Sequence, residues 1–325
     1  MRRITSSVLF TLVVIWVLAI VPQSPILGPF LLLSEAVRSF PLVLLGSWIA
    51  VVAIAILTWR TDHARVALAL GVLGICSAVY TARVWSFLPL FARTPSEIGA
   101  TDTLIDIAVV NVEFGRARPQ QLREKLPKKL PDLLVVSEVT AKWLAEAAFA
   151  SEYQFSVTAP GTSAEGIAVF SRYPFEGSTD ISPGFFKTLS LSMRLAEDRP
   201  LRLIALHAPP PHADLSFEFR HAYFTLLDTH ILSLPASEPL LLAGDFNTTP
   251  ASDSYRTFVS QHKLRNSAEG RGFPNTWPVK FFPWVGAYID QVVYRGTIDV
   301  VDLRALESFG SDHRPLFATF RISSR

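Results

Sequence analysis

The chain has 325 residues, of which 50% are hydrophobic and only 18% are charged, and its mean hydropathy of +0.32 is too high for one ordinary soluble domain. This composition excludes a chain that is disordered throughout. Because the sequence holds a single cysteine, an internal disulfide framework and a cysteine-ligated zinc site are excluded as well.

The charges are divided unevenly along the chain. Residues 1–94 hold 7 of the 30 Lys and Arg residues and 2 of the 28 Asp and Glu residues, which gives them a net charge of about +5. Residues 95–325 carry a net charge of about −3. The two parts therefore differ in character, and only the second has the composition of a soluble domain.

Three long apolar segments lie in the first third of the chain, at residues 4–21, 40–59 and 66–91. Each approaches the length of about 20 residues that spans a bilayer. The first could also be a cleavable signal peptide, because Arg2 and Arg3 precede it, but no small-residue cleavage site follows. The pattern predicts a membrane region over residues 1–93 with three transmembrane helices, and two or four spans are the alternatives.

The basic residues near these segments predict their orientation. Two arginines precede the first segment, and Arg60 and Arg65 flank the turn between the second and third, whereas Arg83 and Arg93 near the far end oppose this bias. Because basic loops stay in the cytoplasm, we expect a cytoplasmic amino terminus. An odd number of spans then gives a multi-pass protein of the cytoplasmic (inner) membrane whose soluble domain is extracytoplasmic, or periplasmic in a two-membrane bacterium.

A short polar stretch separates the membrane region from the soluble part. Residues 94–103 contain Pro95 and Gly99 and are predicted to form a linker. Residues 104–325 follow, and their number is sufficient for one sizeable hydrophobic core.

Short runs of β-branched and aliphatic residues recur through this second part and predict mostly buried strands. They begin at Leu104, Asp132, Gly166, Leu201, Pro239, Tyr288 and Pro315. Helices are predicted between them at residues 119–129, 140–150, 216–234 and 252–262, and Pro127 must end or kink the first. The order predicts a mixed α/β domain whose sheets are covered by helices.

Polar side chains stand at or just past the carboxyl ends of these runs. They are Asn111, Glu138, His207, Asp245 and Asn247. One such residue alone is ordinarily a turn or a cap. Because open α/β sheets bind their ligands at this edge, the set as a whole predicts a cluster of carboxylate, amide and imidazole groups.

The residue types of the cluster match a hard divalent cation. Glu138 and Asp312, with an amide such as that of Asn111, supply the oxygen ligands that Mg²⁺ or Mn²⁺ prefers. His207 and His313 titrate near neutral pH and can move protons or donate to an oxyanion. A metal, a carboxylate base and imidazoles together suit the attack of water on phosphorus.

These residues lie in short motifs that occur in a recognisable order. The motifs are VVNV with Asn111, VVSE with Glu138, ALHAPP with His207, GDFN with Asp245 and Asn247, ID with Asp290, and SDHRP with Asp312 and His313. Their order and spacing resemble the endonuclease/exonuclease/phosphatase superfamily, which has the deoxyribonuclease I-like fold. GDFN and SDHRP are the specific motifs, and the resemblance extends from Leu104 to the end of the sequence.

The resemblance implies an α/β fold of a particular kind. We expect a four-layer α/β sandwich, in which two mixed β-sheets are flanked by helices and the site lies at one edge, preceded by about three transmembrane helices. Membrane-anchored bacterial members of the superfamily have a similar apolar amino-terminal region.

The resemblance also implies a metal site and a Mg²⁺ or Mn²⁺ cofactor. Glu138 would be the principal metal carboxylate, with Asn111 and Asp312 beside it. Two departures from the usual motifs lie close by: Ser137 stands where a Gln is common, and Glu113 adds a negative charge near the metal.

Catalytic roles follow from the same resemblance. Asp245 would orient or deprotonate the attacking water, and Asn247 would hold the phosphate or that water. Asp290 would fix the tautomer of His313 and favour its charged form, so that His313 contacts the scissile phosphate or acts as the base. His207 would protonate or stabilise the leaving oxygen.

Two further groups carry weaker signals. Glu165 orients His207 or lies on the surface, two readings that the sequence supports equally. Trp277 and Trp284, with Phe281 and Phe282, are predicted to pack within a loop, and a substrate or lipid surface is the alternative.

The sequence therefore predicts a membrane-anchored, divalent-metal-dependent phosphoesterase, a hydrolase of phosphodiesters or phosphomonoesters. A lipid or lipid-linked phosphate is favoured as substrate, because the anchor concentrates the site at the bilayer and the second part of the chain lacks a clear basic stripe. The alternatives are an extracytoplasmic endonuclease or exonuclease that binds nucleic acid, and a non-catalytic module that binds a phosphate ligand.

Overall fold

A computed structural model describes residues 2–21, 34, 37, 39, 41–58, 63–89, 99, 102–182, 184–196, 199–211, 217–279 and 286–323. Most of the predicted linker, and the aromatic residues Phe281, Phe282 and Trp284, lie outside these ranges.

Three helices form a bundle at the amino-terminal end of the chain: α1 (Arg2–Ile20), α2 (Pro41–Thr58) and α3 (His63–Val84). They coincide with the three apolar segments, and a 3₁₀ turn over Trp85–Phe87 continues α3. The Trp16 indole donates to Ser47 Oγ, and that of Trp48 donates to Ser77 Oγ. Each hydrogen bond joins α2 to a neighbouring helix, which is how polar side chains link helices in an apolar bundle.

The three helices differ in whether their apolar length is sufficient to cross a membrane. Within the described residues, the helix over Val66–Phe87 is long and apolar enough to cross a membrane, whereas the apolar helical stretches Ser7–Ile20 and Leu44–Leu57 are shorter. Since a bilayer core about 30 Å thick needs about 20 helical residues, one helix meets the requirement by itself. The prediction of three spans therefore stays a prediction.

The rest of the described chain is built on two six-stranded sheets. The first has the order β11-β12-β1-β2-β4-β3, and the second has the order β5-β6-β7-β8-β10-β9. The strands are β1 (Thr103–Asn111), β2 (Leu133–Ser137), β3 (Phe155–Ala159), β4 (Ile167–Ser171), β5 (Phe175–Asp180), β6 (Thr188–Arg194), β7 (Pro200–His207), β8 (Leu240–Asp245), β9 (Arg265–Asn266), β10 (Asp290–Arg295), β11 (Ile298–Ala305) and β12 (Leu316–Ile322).

Each sheet has one parallel pair of strands at its centre. Strands β1 and β2 are parallel with Asn111 opposite Ser137, and β7 and β8 are parallel with His207 opposite Asp245. The other neighbours are antiparallel. Because parallel strands end at the same edge, the four central strands deliver their last side chains to one place.

The strands divide their side chains between two cores. In β1, Ile105, Ile107 and Val109 face the core between the sheets, and Ala108 and Val110 face the helices on the outside. This alternation is the two-residue period of a strand buried on both faces.

Four helices cover the outer faces of the sheets: α4 (Pro119–Lys125), α5 (Ala141–Glu146), α6 (Phe217–Ser233) and α7 (Asp253–Gln261). Trp143 of α5 packs on the first sheet, and Tyr223 of α6 and Phe258 of α7 pack on the second. Two mixed sheets between helical layers confirm the predicted sandwich. The predicted helix over 119–129 ends at Lys125, since Pro127 cannot continue it.

Five strands were not predicted from the sequence: β3, β5, β6, β9 and β11. The side chains of β5 are mostly exposed, and β9 has only two residues, so neither shows an apolar pattern. In strand β6, polar and apolar residues do alternate, and Leu189, Leu191 and Met193 are buried. This two-residue period could have predicted the strand.

Candidate active site

The site lies where the central strands end. Asn111 and Glu138 lie at the carboxyl ends of β1 and β2, and His207 and Asp245 end β7 and β8. Asp290 begins the antiparallel strand β10 directly opposite Asp245. The strand ends of both sheets thus meet at one edge of the sandwich, and the candidate catalytic side chains lie next to one another there.

Asn111 connects the two sheets at this edge. Its amide nitrogen Nδ2 donates to Glu138 Oε1 at 2.9 Å and to Asp245 Oδ2 at 3.1 Å. Its oxygen Oδ1 accepts the backbone N–H of Glu113 at 2.9 Å. Asn111 therefore acts as a donor to two carboxylates in this arrangement, and the metal-ligand role expected for it stays a prediction.

Glu138 is held in a strained and buried position. Its backbone φ is 63°, in the left-handed region that residues other than Gly seldom adopt. Backbone strain of this kind is common at functional sites. Carboxylate oxygen Oε2 accepts the N–H of Phe114 at 2.8 Å. Burial raises the pKa of Glu138, and the hydrogen bonds from Asn111 and Phe114 act in the opposite direction.

Asp290 and His313 form a buried pair. The Asp290 Oδ2 atom lies 2.7 Å from His313 Nδ1. Burial acts to lower the pKa of His313, but the charge of Asp290 and this hydrogen bond outweigh it and raise the pKa to about 10. His313 is therefore an imidazolium at neutral pH, with Nε2–H directed toward Asp245, whose Oδ2 lies 3.9 Å away. The arrangement expected of these two residues is present.

Asp245 is the most perturbed carboxyl group of the cluster. Burial and the neighbouring Asp290 raise its pKa to about 8. One oxygen, Oδ1, accepts the backbone N–H of Asn247 at 2.8 Å, which leaves Oδ2 near His313 and Asn111. Asp245 can accept a proton from water only in its ionised form, which a cation bound beside it would favour.

His207 is neutral in this environment. Its Nδ1 lies 2.8 Å from the carbonyl oxygen of Ala164, and this contact places the ring proton on Nδ1. Burial lowers its pKa to about 4. The unprotonated Nε2 faces the side-chain amide of Asn247 at 3.3 Å.

Glu165 does not orient His207, because the Ala164 carbonyl has that role. The Glu165 carboxylate instead accepts hydrogen bonds from Thr162 and Ser163 within its own loop. The second reading of Glu165, a structural surface role, fits the observed contacts.

Two side chains contact Asp312: Trp277, for which the sequence favoured packing within a loop, and Glu113, which the sequence placed near the metal. Trp277 donates from its indole nitrogen to Asp312 Oδ2 at 3.1 Å, and its ring centre lies 6.4 Å from that of His313. Glu113 Oε2 accepts the backbone N–H of Asp312 at 3.1 Å. Trp277 therefore contacts a residue of the predicted site, whereas packing within a loop was the favoured prediction for it.

The donor set of the cluster fits a divalent cation. One carboxylate oxygen of Asp245, one of Asp290 and a ring nitrogen of His313 all lie within 4.8 Å of one another. Because His313 is protonated on both ring nitrogens, the carboxylates would be the ligands, and Glu138 and Asp312 lie close enough for their charges to act on this cluster. Within the part of the chain that the structure describes, Asp290 Oδ1 is buried and has no hydrogen-bond partner. A buried carboxylate oxygen without a partner is costly, and a cation would relieve that cost.

Gly244 of the GDFN motif is required by the backbone. Its φ is 152°, and a Cβ atom at this position would lie 1.8 Å from the carbonyl oxygen of Leu206. Strands β7 and β8 approach too closely there for any side chain. This glycine therefore allows the two strand ends that carry His207 and Asp245 to lie side by side.

Comparison with known families agrees with the geometry. Residues 108–313 match the model of the Endonuclease/Exonuclease/phosphatase family, which is more than half of the chain. The chain belongs to the endonuclease/exonuclease/phosphatase family. Members of this family hydrolyse phosphoric esters, which confirms the enzyme class predicted from the motifs.

Solved structures share the fold of this endonuclease/exonuclease/phosphatase family chain at low identity. An endonuclease/exonuclease/phosphatase from Beutenbergia cavernae aligns with a TM-score of 0.53 and 18% identity over 68% of this chain and 72% of that one. The 3′ phosphatase NExo from Neisseria, bound to a product DNA hairpin, aligns at 0.53 and 18% over 66% and 98%. Sphingomyelinase C from Streptomyces griseocarneus aligns at 0.50 and 14% over 67% and 99%. No curated protein matches the chain.

Proposed function

We propose that this protein is a divalent-metal-dependent phosphoesterase anchored in a bilayer, which hydrolyses a lipid or lipid-linked phosphate ester. The observation that supports it best is the convergence of Asp245, Asp290 and His313 beside the Asn111–Glu138 pair. A bound Mg²⁺ or Mn²⁺ ion would be held by Glu138 and Asp312 with the carboxylates of the cluster, and it would neutralise charge on the phosphoryl oxygens.

Asp245 is the residue that takes a proton from the attacking water in this proposal. Burial and Asp290 raise its pKa, and a cation bound beside it would favour the ionised form that a base requires. A general base contributes about 10²–10⁴ in rate. The N–H of Asn247 fixes one carboxylate oxygen, so that the other is presented to the water.

His313 supplies positive charge at the phosphorus in this proposal. Its Nδ1–H is engaged by Asp290, so that Nε2–H is the proton it offers to a phosphoryl oxygen. Because both partners are buried, this charge acts in a poorly solvated environment, where it is stronger than in water.

His207 has a positioning role rather than that of a proton donor. With its pKa near 4, the ring carries no proton on Nε2 to give to a leaving oxygen. Nε2 instead accepts from the side-chain amide of Asn247, whose Nδ2 also donates to the Ala208 carbonyl. His207 and Ala208 therefore take both hydrogens of the Asn247 amide, so that Oδ1 is the atom that this side chain would present to the attacking water.

The exposed surface of the helical bundle supports a bilayer as its surroundings. Large apolar side chains project outward from the helices, among them Phe10, Ile56, Leu57, Leu68 and Ile75, each at least 65% exposed. A surface of this kind is costly in water and favourable in lipid. The hydrogen bond from Trp16 to Ser47 is buried inside the bundle, as such bonds are between transmembrane helices.

The topology proposed for the bundle has a cytoplasmic amino terminus and an extracytoplasmic domain. An alkaline phosphatase reporter fused after Pro89 tests it, because this reporter folds to an active enzyme only outside the cytoplasm. Activity of the fusion supports the topology, and an inactive fusion that is present in the membrane contradicts it.

The enzymatic test uses the purified full-length protein in detergent micelles. Hydrolysis of bis(p-nitrophenyl) phosphate should be absent after chelation, return with Mn²⁺ or Mg²⁺, and be lost in Asp245→Asn and His313→Ala. The matched control is Asp228→Asn, which removes the charge that faces His262 in a partly buried Asp–His contact between α6 and the end of α7. Activity that persists in Asp245→Asn would contradict the assignment.

The substrate class is tested on the same preparation. Vesicles with sphingomyelin-type lipids, polyprenyl pyrophosphate, inositol phosphates, single-stranded DNA and plasmid form the panel. Faster turnover of the lipid substrates supports the proposal, whereas a preference for DNA identifies the nuclease alternative. Binding of a headgroup without turnover at any metal concentration identifies the non-catalytic alternative.

A further inference from the structure

Arg83 lies at the junction between the helical bundle and the α/β sandwich. It is near the end of α3, and its side chain is only 9% exposed. Nη1 donates to the Ala19 carbonyl at 3.1 Å and Nη2 donates to the Ile20 carbonyl at 2.8 Å. Nη2 also lies 3.2 Å from Asp253 Oδ1, at the first residue of α7.

These contacts bring three helix ends to one cation. The last carbonyl groups of α1 form the negative end of that helix, and Asp253 begins α7. A buried guanidinium is stable only when its donors are matched, and here they are matched by two carbonyl groups and a carboxylate. Arg83 thus joins the bundle to the sandwich through a charge-assisted contact.

A second contact lies next to the first. The backbone N–H groups of Gly270 and Gly272 donate to the carbonyls of Ser86 and Phe87 at 2.7 and 2.8 Å. The ring of Phe87 stacks on that of Phe273 at 5.2 Å and packs into the core between the sheets. The end of the bundle is therefore continuous with the folded domain.

The first of the two contacted loops leads to the active site. It comprises residues 246–253, directly after Asp245, and begins with Phe246 and Asn247. Within it, the Thr248 carbonyl accepts Gln291 Nε2 at 2.7 Å, beside Asp290. A shift of this loop would move Asn247 and the backbone next to Asp290.

The second contacted loop also leads to the active site. It comprises residues 268–277 and ends at Trp277, which holds the Asp312 carboxylate. Thr276 Oγ1 accepts the backbone N–H of Asp290 at 3.2 Å. Both loops thus connect the bundle to groups that surround the catalytic carboxylates.

We propose that the amino-terminal bundle is a positioning part of the active site. Arg83 is the positioning residue that holds the end of loop 246–253, and the carbonyl groups of Ser86 and Phe87 hold loop 268–277. The anchor then does more than tether the domain, because its docking determines where Asn247 and Trp277 lie. The effect on turnover rests on the proposed function, whereas the effect on the two loops does not.

The experiment measures amide hydrogen exchange on the full-length protein in detergent micelles. Arg83→Ala is compared with Arg83→Lys and with Arg256→Ala, which removes an exposed arginine of α7. In Arg83→Ala, exchange in loop 246–253 should be about tenfold faster, because charged hydrogen bonds are lost. Loop 268–277 should change less, because its hydrogen bonds to Ser86 and Phe87 remain. Peptides of the interior strands β2 and β4 should keep the wild-type rate. The exchange rate in Arg83→Lys should fall between those of the wild type and Arg83→Ala.

Turnover of bis(p-nitrophenyl) phosphate is measured on the same samples, corrected for the folded fraction. The kcat of Arg83→Ala should be about tenfold lower with an unchanged KM, since small displacements at a site cost this much or more. Arg83→Lys should recover part of it, and Arg256→Ala should equal wild type.

Two outcomes overturn the proposal. One is an unchanged exchange rate in loop 246–253 of Arg83→Ala, and the other is faster exchange there with a wild-type kcat per folded molecule. If the wild-type protein itself lacks phosphodiesterase activity, the proposed function fails while the exchange result still decides whether the bundle holds the loops.

Discussion

Removal of the Asp290 charge should weaken both the fold and the reaction in a pH-dependent way. The pKa of His313 is about 10 in the folded chain, against 6.5 for an unperturbed histidine. A raised pKa stabilises the fold fully below pH 6.5, and this stabilisation is lost as the pH rises through 10. The difference of about 3.5 pKa units corresponds to at most about 5 kcal/mol at low pH.

The variant to make is Asp290→Asn, which keeps the shape of the side chain. Breaking a buried ion pair costs about 3–5 kcal/mol, so the melting temperature at pH 7 should fall by about 10 °C. The deficit should narrow as both proteins are melted at pH values up to 10.5. Because His313 then loses its charge at neutral pH, kcat should fall by about 10²–10⁴.

The assays are melting curves in detergent micelles between pH 5 and 10.5, and initial rates on bis(p-nitrophenyl) phosphate with Mn²⁺. Asp228→Asn serves as the control, because it changes an Asp–His contact between α6 and the end of α7 and should keep the wild-type kcat. A pH-independent melting deficit in Asp290→Asn, or a kcat within threefold of wild type, would refute the reasoning.

Three further variants test other parts of the site. Asp245→Asn should be inactive. The pKa of Asp245 is about 8 in the folded chain against an unperturbed 3.8, so ionisation of this group destabilises the wild-type fold as the pH rises. The variant should therefore have a higher melting temperature than the metal-free wild type above pH 8, and the difference should disappear near pH 4. An unchanged melting temperature at pH 9 would contradict the buried carboxylate. Gly244→Ala should lose about 3 kcal/mol or more and express poorly, since its Cβ overlaps the Leu206 carbonyl, while Gly71→Ala in α3, where no atom lies within 4 Å, should fold normally. Trp277→Phe keeps the ring but not the hydrogen bond to Asp312, so the Mn²⁺ concentration for half-maximal activity should rise about 10- to 100-fold; an unchanged value would leave Trp277 without a role in the metal site.

The features that depend on local pattern were predictable from the sequence. Apolar strands that end in polar residues gave the central strands correctly, because both parallel pairs are buried on two faces and read as continuous apolar runs. Strand β5 has no such pattern, because Phe175 is its only partly buried residue and the others are exposed. The family resemblance then supplied the four-layer arrangement, which local patterns do not contain.

The features that depend on contacts between distant segments were not predictable. Trp277 meets Asp312 across 35 residues of sequence, and Glu113 meets the backbone of Asp312 across 199. Arg83 was interpreted only as a charge that opposes the predicted topology, whereas its partners are the end of α1 and the start of α7. No periodicity or spacing indicates such pairings.

The groups that carry the chemistry lie on interior strands of the two sheets. Substrate binding and bond cleavage can therefore change independently in evolution. Asn111, His207, Asp245 and Asp290 all belong to strands with a neighbour on each side. The outermost strands β3, β5, β9 and β11 contribute none of them. Changes in the length or sequence of these outer strands and of the loops that connect them can alter which substrate the enzyme binds without disturbing the groups that break the ester bond. One fold can therefore serve enzymes that act on unrelated esters.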